Sequence, residues 1–182
     1  MENDLSLISG RFGNQLNIIV THLSSVGSTM DTVGLMGENG VSEGAIVVAD
    51  AQTAGRGRHG RSWVSSKPAD DLLFSMLFRP LPRLAYGVQI LGSLAIAYVV
   101  ERMTGKQTTI KWPNDVLIDG RKIAGILVES RQKGSECYSV LGIGINVNSK
   151  TDSYRDTGIH AISLMEICDR TLSRKKLLHR LV

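Results

Sequence analysis

Residues 55–63 (GRGRHGRSW) place three arginines and a histidine between glycines. Glycine lets a backbone approach a ligand closely, and the planar guanidinium of arginine matches the oxygens of phosphate and carboxylate groups. A small, β-branched run at 44–52 precedes the segment and Trp63 ends it, which favours a loop held on a scaffold. A disordered arginine–glycine segment that binds nucleic acid is the alternative. We predict an anion-binding loop that closes over its ligand.

A second candidate is the pentapeptide KWPND at 111–115. Pro113 fixes its own φ and keeps Trp112 extended, so that Asn114 and Asp115 project from a rigid turn. The carboxylate of Asp115 suits Mg²⁺ or the proton of a nucleophile. Taken alone, the pentapeptide is better explained as a solvated Asn-Asp turn between two strands.

Two glycine-containing strands complete the set of candidates. Lys122 opens an otherwise apolar strand, and Gly125 within it indicates the close approach of another group, such as a carboxylate. Gly142 and Gly144 indicate a second place where the backbone comes close to a neighbour, and Asn146 can present an amide to a base edge. Small residues that serve only packing in buried strands explain both segments equally well.

Composition limits the class of protein. A chain of 182 residues that is 42% hydrophobic is expected to form one domain. The net charge of +4 allows nucleic-acid binding but does not require it. Cys137 and Cys168 are far apart, which favours a reducing, cytoplasmic location. The uncharged stretch 84–100 has too few apolar residues to cross a bilayer, so we predict a buried helix and no membrane partner.

Hydrophobic periodicity and turn residues predict the elements that position these segments. Strands are expected at 16–23, 44–52, 71–78, 108–112 and 138–147, and helices from Ser28 or Thr29 to Gly37 and at 84–103, 162–168 and 171–182. A hairpin is expected from 116–118 to 122–129 around Asp119-Gly120. Thr53 to Pro68 is expected to be a long loop. Strands in hairpins with helices between them indicate an α+β fold.

The order and spacing of these segments resemble the catalytic domain of biotin–protein ligases. The matching motifs are GST at 27–29, Q-x-AGRGR-x-GR-x-W at 52–63, KWPND at 111–115, RKIAGILVE at 121–129 and GIGINV at 142–147. The resemblance implies the biotin–lipoate ligase fold, which is similar to class II aminoacyl-tRNA synthetases and consists of a mixed, mostly antiparallel sheet packed with helices. It also implies activation of biotin by ATP and Mg²⁺ to biotinyl-5′-AMP, and transfer of biotin to a lysine of a biotin carboxyl carrier protein.

The same resemblance implies a role for each matching residue. The catalytic group is Arg58, Lys111, Asp115 and Lys122, with Asp115 also as the metal ligand. The biotin-binding group is Ser28, Thr29, Met30, Gln52, Arg56, Gly57, Arg58, Lys122 and Gly125. The nucleotide-binding group is Arg58, Arg61, Trp63, Asn114 and Asn146.

The arginine loop is further expected to be disordered without ligand and ordered with biotinyl-AMP. A basic loop repels itself when it is empty, and a multiply charged anion removes that repulsion. The closed loop would shield the mixed anhydride from water. Equal protease sensitivity of the loop in the two states would contradict this expectation.

Two residues depart from the family pattern. Met30 stands where an asparagine is usual, and His59 where an arginine is common. Residues 1–182 are expected to be a catalytic domain without the winged helix or the C-terminal SH3-like domain of the family, so specific DNA binding is not expected. Two alternatives stay open: a split or truncated ligase that holds biotin or biotinyl-AMP without full transfer, and a lipoate–protein ligase. A homodimer through an exposed strand edge is a further possibility.

Overall fold

A computed structural model describes residues 10–12, 16–64, 67–79, 85–133, 136–150 and 160–182. The strands are β1 (Gly10–Phe12), β2 (Leu16–Leu23), β3 (Ala45–Ala49), β4 (Leu72–Phe78), β5 (Thr109–Lys111), β6 (Asp115–Ile118), β7 (Arg121–Lys133) and β8 (Glu136–Ile145). The helices are α1 (Thr29–Glu38), α2 (Ala85–Thr104), α3 (Leu164–Cys168) and α4 (Arg174–Leu181). None of the helices in these ranges is both long and apolar enough to span a bilayer.

The described strands form one sheet in the order β1-β2-β3-β4-β8-β7-β6-β5. β2 and β3 are parallel, because α1 connects them, and the other neighbouring pairs are antiparallel. The predicted α+β class with a mixed, mostly antiparallel sheet is therefore confirmed. The order also brings β7 and β8 to the middle of the sheet, beside β4.

Strand β8 shows how the sequence assigns residues to the two faces of the sheet. Leu141 and Ile143 belong to the larger core cluster, which includes residues of α2, whereas Tyr138 and Val140 belong to a second cluster with residues of α1. Side chains alternate between faces along a strand. Gly142 and Gly144 therefore lie on the α1 face, where they leave the sheet bare between bulky neighbours.

Most predicted elements are confirmed, with shifted ends. The turn of the β6–β7 hairpin has positive φ at both Asp119 and Gly120, as an Asp-Gly turn requires. The helix predicted from residue 162 begins two residues later because Ser163 caps it, in a capping box with Glu166. Strand β7 extends beyond the predicted end at 129, and β1 was not predicted because three residues show no periodicity.

The last helix is tied to the sheet through a buried arginine. Arg174 donates from Nη2 to Asp50 Oδ1 at 2.7 Å and from Nη1 to the Asp71 carbonyl at 3.3 Å. His22 Nε2 lies 3.0 Å from the same Asp50 oxygen. Asp50 precedes Gln52 by two residues. This contact therefore links α4 to the segment that leads into the arginine loop.

Asp50 is expected to make stability depend on pH in the acid range. Burial raises its pKa, but hydrogen bonds from Arg174 and His22 outweigh burial and leave the pKa of Asp50 below its ordinary value. Its stabilising contribution is thus complete above the unfolded value of about 3.9, and is lost as the pH falls through the lower folded pKa. We expect the gap in thermal midpoint between the unmodified protein and Asp50→Asn to narrow as the pH drops below about 4. A gap that stays constant in acid would contradict this assignment.

Candidate active site

The centre of the candidate site is a bare strip of sheet covered by an indole ring. Gly125 of β7 and Gly144 of β8 are direct partners in the sheet, and Asp115 of β6 is paired with Gly125. The ring of Trp63 lies across both glycines. A Cβ placed at Gly125 would be 2.7 Å from Cζ3 of the ring, and one at Gly144 would be 2.5 Å from Cε2. The ring can occupy this position only because both residues lack side chains.

An ion pair stands at the edge of this strip. Lys122 Nζ lies 2.8 Å from Asp115 Oδ1, and the two side chains are about equally exposed, at 27% and 29%. The same ammonium group lies 5.3 Å from the centroid of the Trp63 ring, within the range of a cation–π contact. It is also close to Gly125, since a Cβ there would be 3.0 Å from Nζ. The ammonium group of Lys122 therefore faces both the bare strip and the ring.

The arginine loop forms a small hairpin. The Trp63 amide donates to the Gly55 carbonyl at 3.0 Å, and the Gly57 amide donates to the Arg61 carbonyl at 2.6 Å. The tip turns through His59 and Gly60, whose φ angles are 56° and 73°. Histidine is among the residues that tolerate this left-handed region, which agrees with the change at position 59. The structure describes this closed form, and order on ligand binding stays a prediction.

Asn114 connects the hairpin to the sheet. Its Nδ2 donates to the Ile126 carbonyl at 2.8 Å, and the Ile126 amide donates to the Asn114 carbonyl at 2.7 Å. Its Oδ1 accepts a 2.5 Å bond from Nη1 of Arg58. Asn114 is thus held rigidly by β7 and presents one oxygen to the tip of the hairpin. The preceding Trp112–Pro113 peptide bond is cis.

The start of α1 provides the other end of the site. Gln52 Oε1 accepts hydrogen bonds from the Thr29 amide at 2.8 Å and from the Thr29 hydroxyl at 3.1 Å, and that hydroxyl lies 2.8 Å from Ser75 Oγ. Ser28 caps the helix by accepting from the Met30 amide at 3.3 Å. Thr29, Gln52 and Ser75 form a connected hydrogen-bond network, and Ser28 lies next to it in the chain. They are where the resemblance places the ureido end of biotin.

Met30 is buried against the other glycine of β8. A Cβ at Gly142 would lie 2.6 Å from the sulfur of Met30. The residue that departs from the family pattern therefore contributes an apolar, deformable wall to this end of the site.

Not every predicted residue projects into the strip. Asn146 is buried and donates from Nδ2 to the carbonyls of Lys122 at 3.1 Å and Ile162 at 3.2 Å. Its amide hydrogens therefore hold the backbone together, and any contact with a base edge is left to its oxygen. Lys111 is paired with Asp115 across β5 and β6 but is exposed. Arg61 is also exposed, at the end of the hairpin tip.

Arg56 differs most from the other arginines of the loop, since its side chain is paired with carboxylates. Nη1 lies 2.7 Å from Asp31 Oδ2, and Nη2 lies 3.3 Å from Glu129 Oε1. The hydrogen bond to Asp31 raises the pKa of Arg56 above its usual range. Sequence reasoning missed both carboxylates, although Asp31 follows Ser28 by three residues and Glu129 ends the RKIAGILVE motif.

Gly144→Ala tests the position of the indole. Because the new Cβ would come within 2.5 Å of the ring, Trp63 must leave the strip, and the hairpin opens. In a Trp112→Phe background, we expect the fluorescence of Trp63 to shift to longer wavelength. Gly87→Ala is the control, since a Cβ there has no atom within 4 Å. Unchanged emission for the Gly144 variant would show that the ring does not rest on this glycine.

The described residues thus combine a mixed sheet, a bare strip covered by an arginine hairpin, and a Lys–Asp ion pair at the edge of that strip. The chain belongs to the biotin/lipoate A/B protein ligase family, whose family model matches residues 23–146. The resemblance derived from the motifs is thereby confirmed.

Named relatives narrow the likeness within the family. The bifunctional ligase/repressor BirA of Bacillus subtilis is 40% identical over 152 residues, which are 80% of this chain and 46% of the relative. The biotin–[acetyl-CoA-carboxylase] ligase of Mycobacterium tuberculosis is 35% identical over 149 residues, 77% of this chain and 52% of the relative. The chain thus spans about half the length of these curated relatives.

Solved structures agree with this placement. The biotin protein ligase of Aquifex aeolicus in complex with biotin and ATP superposes with a TM-score of 0.72 at 32% identity, covering 89% of this chain and 66% of that one. The biotin protein ligase of Leishmania major in complex with biotinyl-5-AMP gives a TM-score of 0.70 at 25% identity, covering 89% and 71%. Both are similar in fold to nearly the whole of this chain.

Proposed function

We propose that this protein activates biotin with ATP and transfers it to a lysine of a biotin carboxyl carrier protein. The observation that carries the proposal is the ion pair of Lys122 and Asp115 at the edge of the Gly125–Gly144 strip. A cation at the edge of the strip suits a carboxylate that approaches beside the Trp63 ring, which covers the glycines themselves, and meets a phosphate there.

Activation requires two anions to meet. An oxygen of the biotin carboxylate attacks the α-phosphorus of ATP, the bond from that phosphorus to the bridging oxygen breaks, and pyrophosphate leaves. Lys122 and Arg58 oppose the repulsion, since a cation held beside the reacting oxygens stabilises the transition state more than the separated reactants. Arg61 and the exposed Lys111 add positive charge at the periphery. No covalent enzyme intermediate is needed.

In the transfer step, the nucleophile arrives as a cationic ammonium group rather than as an anion. The amine of the carrier lysine, after losing a proton, attacks the acyl carbon of biotinyl-AMP, and the bond to the phosphate oxygen breaks to release AMP. Asp115 is the carboxylate nearest the strip that can hold this ammonium group and ease its deprotonation. In the present geometry, Asp115 also orients Lys122 at 2.8 Å.

The remaining contacts follow from position. The Thr29–Gln52–Ser75 network beside Ser28 and Met30 supports the ring end of biotin. The backbone of Arg56 and Gly57 covers the ligand from the hairpin. The ring of Trp63, which covers the strip, and Asn114, which contacts the hairpin tip, are our choice for the nucleotide, together with the oxygen of Asn146.

Magnesium does not fit as an ion held by the protein alone. The described residues contain no group of three histidine, cysteine or acidic side chains that could hold a metal ion, and Asp115 is already paired with Lys122. Mg²⁺ commonly keeps several waters and binds through one or two carboxylates plus substrate phosphates. We therefore propose that it accompanies the triphosphate, with Asp115 as the carboxylate that would contact it.

The decisive experiment separates the two half-reactions. Purified protein is incubated with biotin and ATP, and biotinyl-AMP and pyrophosphate are measured; an apo carrier domain is then added and its biotinylation is followed. We expect biotinyl-AMP and pyrophosphate from the first step and a biotinylated carrier domain from the second. Adenylate without transfer identifies a module that activates biotin but cannot complete the reaction. Heat of binding with lipoate and none with biotin would identify a lipoate ligase instead.

Three broader assignments are part of the proposal. We propose that residues 1–182 act as one catalytic domain, since the described strands share one sheet. Cytoplasmic location is supported by two free cysteines, Cys137 and Cys168. A homodimer is supported by the outer edge of β5, which pairs with no further strand among the described residues, and sedimentation at several concentrations tests it.

A further inference from the structure

Arg56 occupies a distinct position in the arginine hairpin. Its backbone is bridged to Ser62 on the returning strand, so it belongs to the rigid base of the hairpin rather than to its tip. Its guanidinium reaches away to two different elements, Asp31 in the first turn of α1 and Glu129 on β7, at 2.7 and 3.3 Å. One side chain thus connects the hairpin to a helix and to the sheet.

The two carboxylates belong to a longer chain of alternating charges. Glu129 Oε2 also lies 3.3 Å from Nη2 of Arg131, and Nη1 of Arg131 lies 3.1 Å from Glu38 Oε1 at the last residue of α1. The charges therefore run −, +, −, +, − from Asp31 to Glu38. Both ends of α1, the helix whose start carries Thr29, are fastened to β7 by this chain.

The net charge of these five side chains argues against an anion at Arg56. Three carboxylates and two guanidinium groups leave a net charge of −1. A ligand carboxylate or phosphate would have to displace Asp31 or Glu129 to reach the Arg56 fork. By contrast, Arg58 at the tip has a neutral partner, the oxygen of Asn114. Arg58 is therefore the arginine that is suited to meet an anion.

We propose that Arg56 is a positioning residue whose side chain acts as a latch: it fastens the base of the arginine hairpin to α1 and β7. The latch thereby sets how long the closed hairpin holds biotinyl-AMP. The inference rests on the proposed function and deepens it. It assigns retention of the reactive intermediate to an ion-pair contact outside the ligand-binding strip.

The size of the effect follows from exposure. Arg56 and Asp31 are 34% and 53% exposed, and a single exposed ion pair contributes little to a folding equilibrium. Two pairs made by one guanidinium add to the contacts of Arg58 and Trp63 that also hold the hairpin. Loss of both pairs is expected to change the opening of the hairpin about three- to tenfold.

The test is a double-variant cycle on the latch. Arg56→Ala, Asp31→Asn and the double variant are each digested with subtilisin, because trypsin would lose a cleavage site with Arg56. We expect cleavage within 55–63 of the ligand-free protein to be about three- to tenfold faster in Arg56→Ala, which loses both ion pairs, and faster by a smaller factor in Asp31→Asn, which loses one. The double variant should be cleaved no faster than Arg56→Ala. Release of preformed biotinyl-AMP is expected to accelerate by the same factor in each variant.

Three outcomes would overturn the latch. Additive effects in the double variant would show that Arg56 and Asp31 act separately. Faster release in Arg56→Ala with tighter biotin binding in Asp31→Asn would show that Arg56 contacts the ligand directly. Equal acceleration in Arg102→Ala, the control on the exposed last turn of α2, would show a general loss of charge. Arg56→Lys should restore part of the protection.

The digestion separates this inference from the proposed function. Cleavage of the ligand-free protein requires no substrate, so it judges the latch even if no biotinyl-AMP forms. Absence of adenylate in the unmodified protein would contradict the proposed function alone. If the unmodified protein forms adenylate, but all latch variants are cleaved at its rate, the latch alone is contradicted.

Discussion

Lys122→Met is expected to lower the rate of biotinyl-AMP formation by about 100- to 1,000-fold. Methionine keeps an apolar stem against the Trp63 ring but removes the ammonium group that stands 2.8 Å from Asp115. Without it, the uncompensated carboxylate of Asp115 stands at the edge of the strip, beside the place proposed for the substrate carboxylate, and the two anions repel each other. The loss should appear in single-turnover adenylate formation and in the affinity for biotin, while the thermal midpoint changes little.

Two comparison variants make the result specific. Lys106→Met removes an exposed lysine just after α2, and we expect normal adenylate formation. Asp115→Asn together with Lys122→Met should recover part of the lost biotin affinity, because the uncompensated charge disappears. If Lys122→Met forms adenylate within a factor of about three of the unmodified protein, the cation over the strip is not the group that brings the two anions together.

Arg174→Ala is expected to lower the free energy of unfolding by about 2–3 kcal/mol. The guanidinium is only 7% exposed and bonds both Asp50 and the Asp71 carbonyl. Its removal takes a hydrogen-bond donor away from the Asp50 carboxylate and from the Asp71 carbonyl. Breaking a fully buried ion pair lowers the free energy of unfolding by about 3–5 kcal/mol. The loss here is smaller because Asp50 is 22% exposed and keeps its contact with His22.

Thermal or denaturant unfolding measures this loss. For a domain of this size, the thermal midpoint should fall by about 4–10 °C. Arg180→Ala, on the exposed side of the same helix, is expected to change the free energy of unfolding by less than about 0.5 kcal/mol. Equal losses in the two variants would mean that α4 is stabilised by its net charge rather than by the contact with Asp50.

Local features could be predicted from the sequence because their causes lie within a few residues. The Asp119-Gly120 turn needs two positive φ angles, and few dipeptides supply them. Ser28 caps α1 through the amide of Met30. The alternation of glycine with Leu, Ile and Val along 140–145 predicts a strand with one bare face, because side chains alternate between the faces of a strand.

Contacts between distant segments could not be predicted in this way. The sequence identified Lys122, Asp115, Gly125 and Trp63 as candidates, but a strand order that puts β7 between β6 and β8 was needed to set them side by side. Asn146 was expected to face a nucleotide, yet its amide hydrogens are taken by two backbone carbonyls. Residue type alone does not say which partner a buried amide will find.

By itself, then, the sequence determined the family, the strand and helix content, and the residues that could bind anions, since these depend on short-range spacing and residue chemistry. Only the tertiary structure decided that one loop arginine faces carboxylates while another faces a neutral amide. Arg56 and Glu129 are separated by 73 residues along the chain, and Arg174 and Asp50 by 124. Such pairs form because the hairpin and α4 pack on the sheet and bring distant backbone segments together, and local sequence carries no signal of that packing.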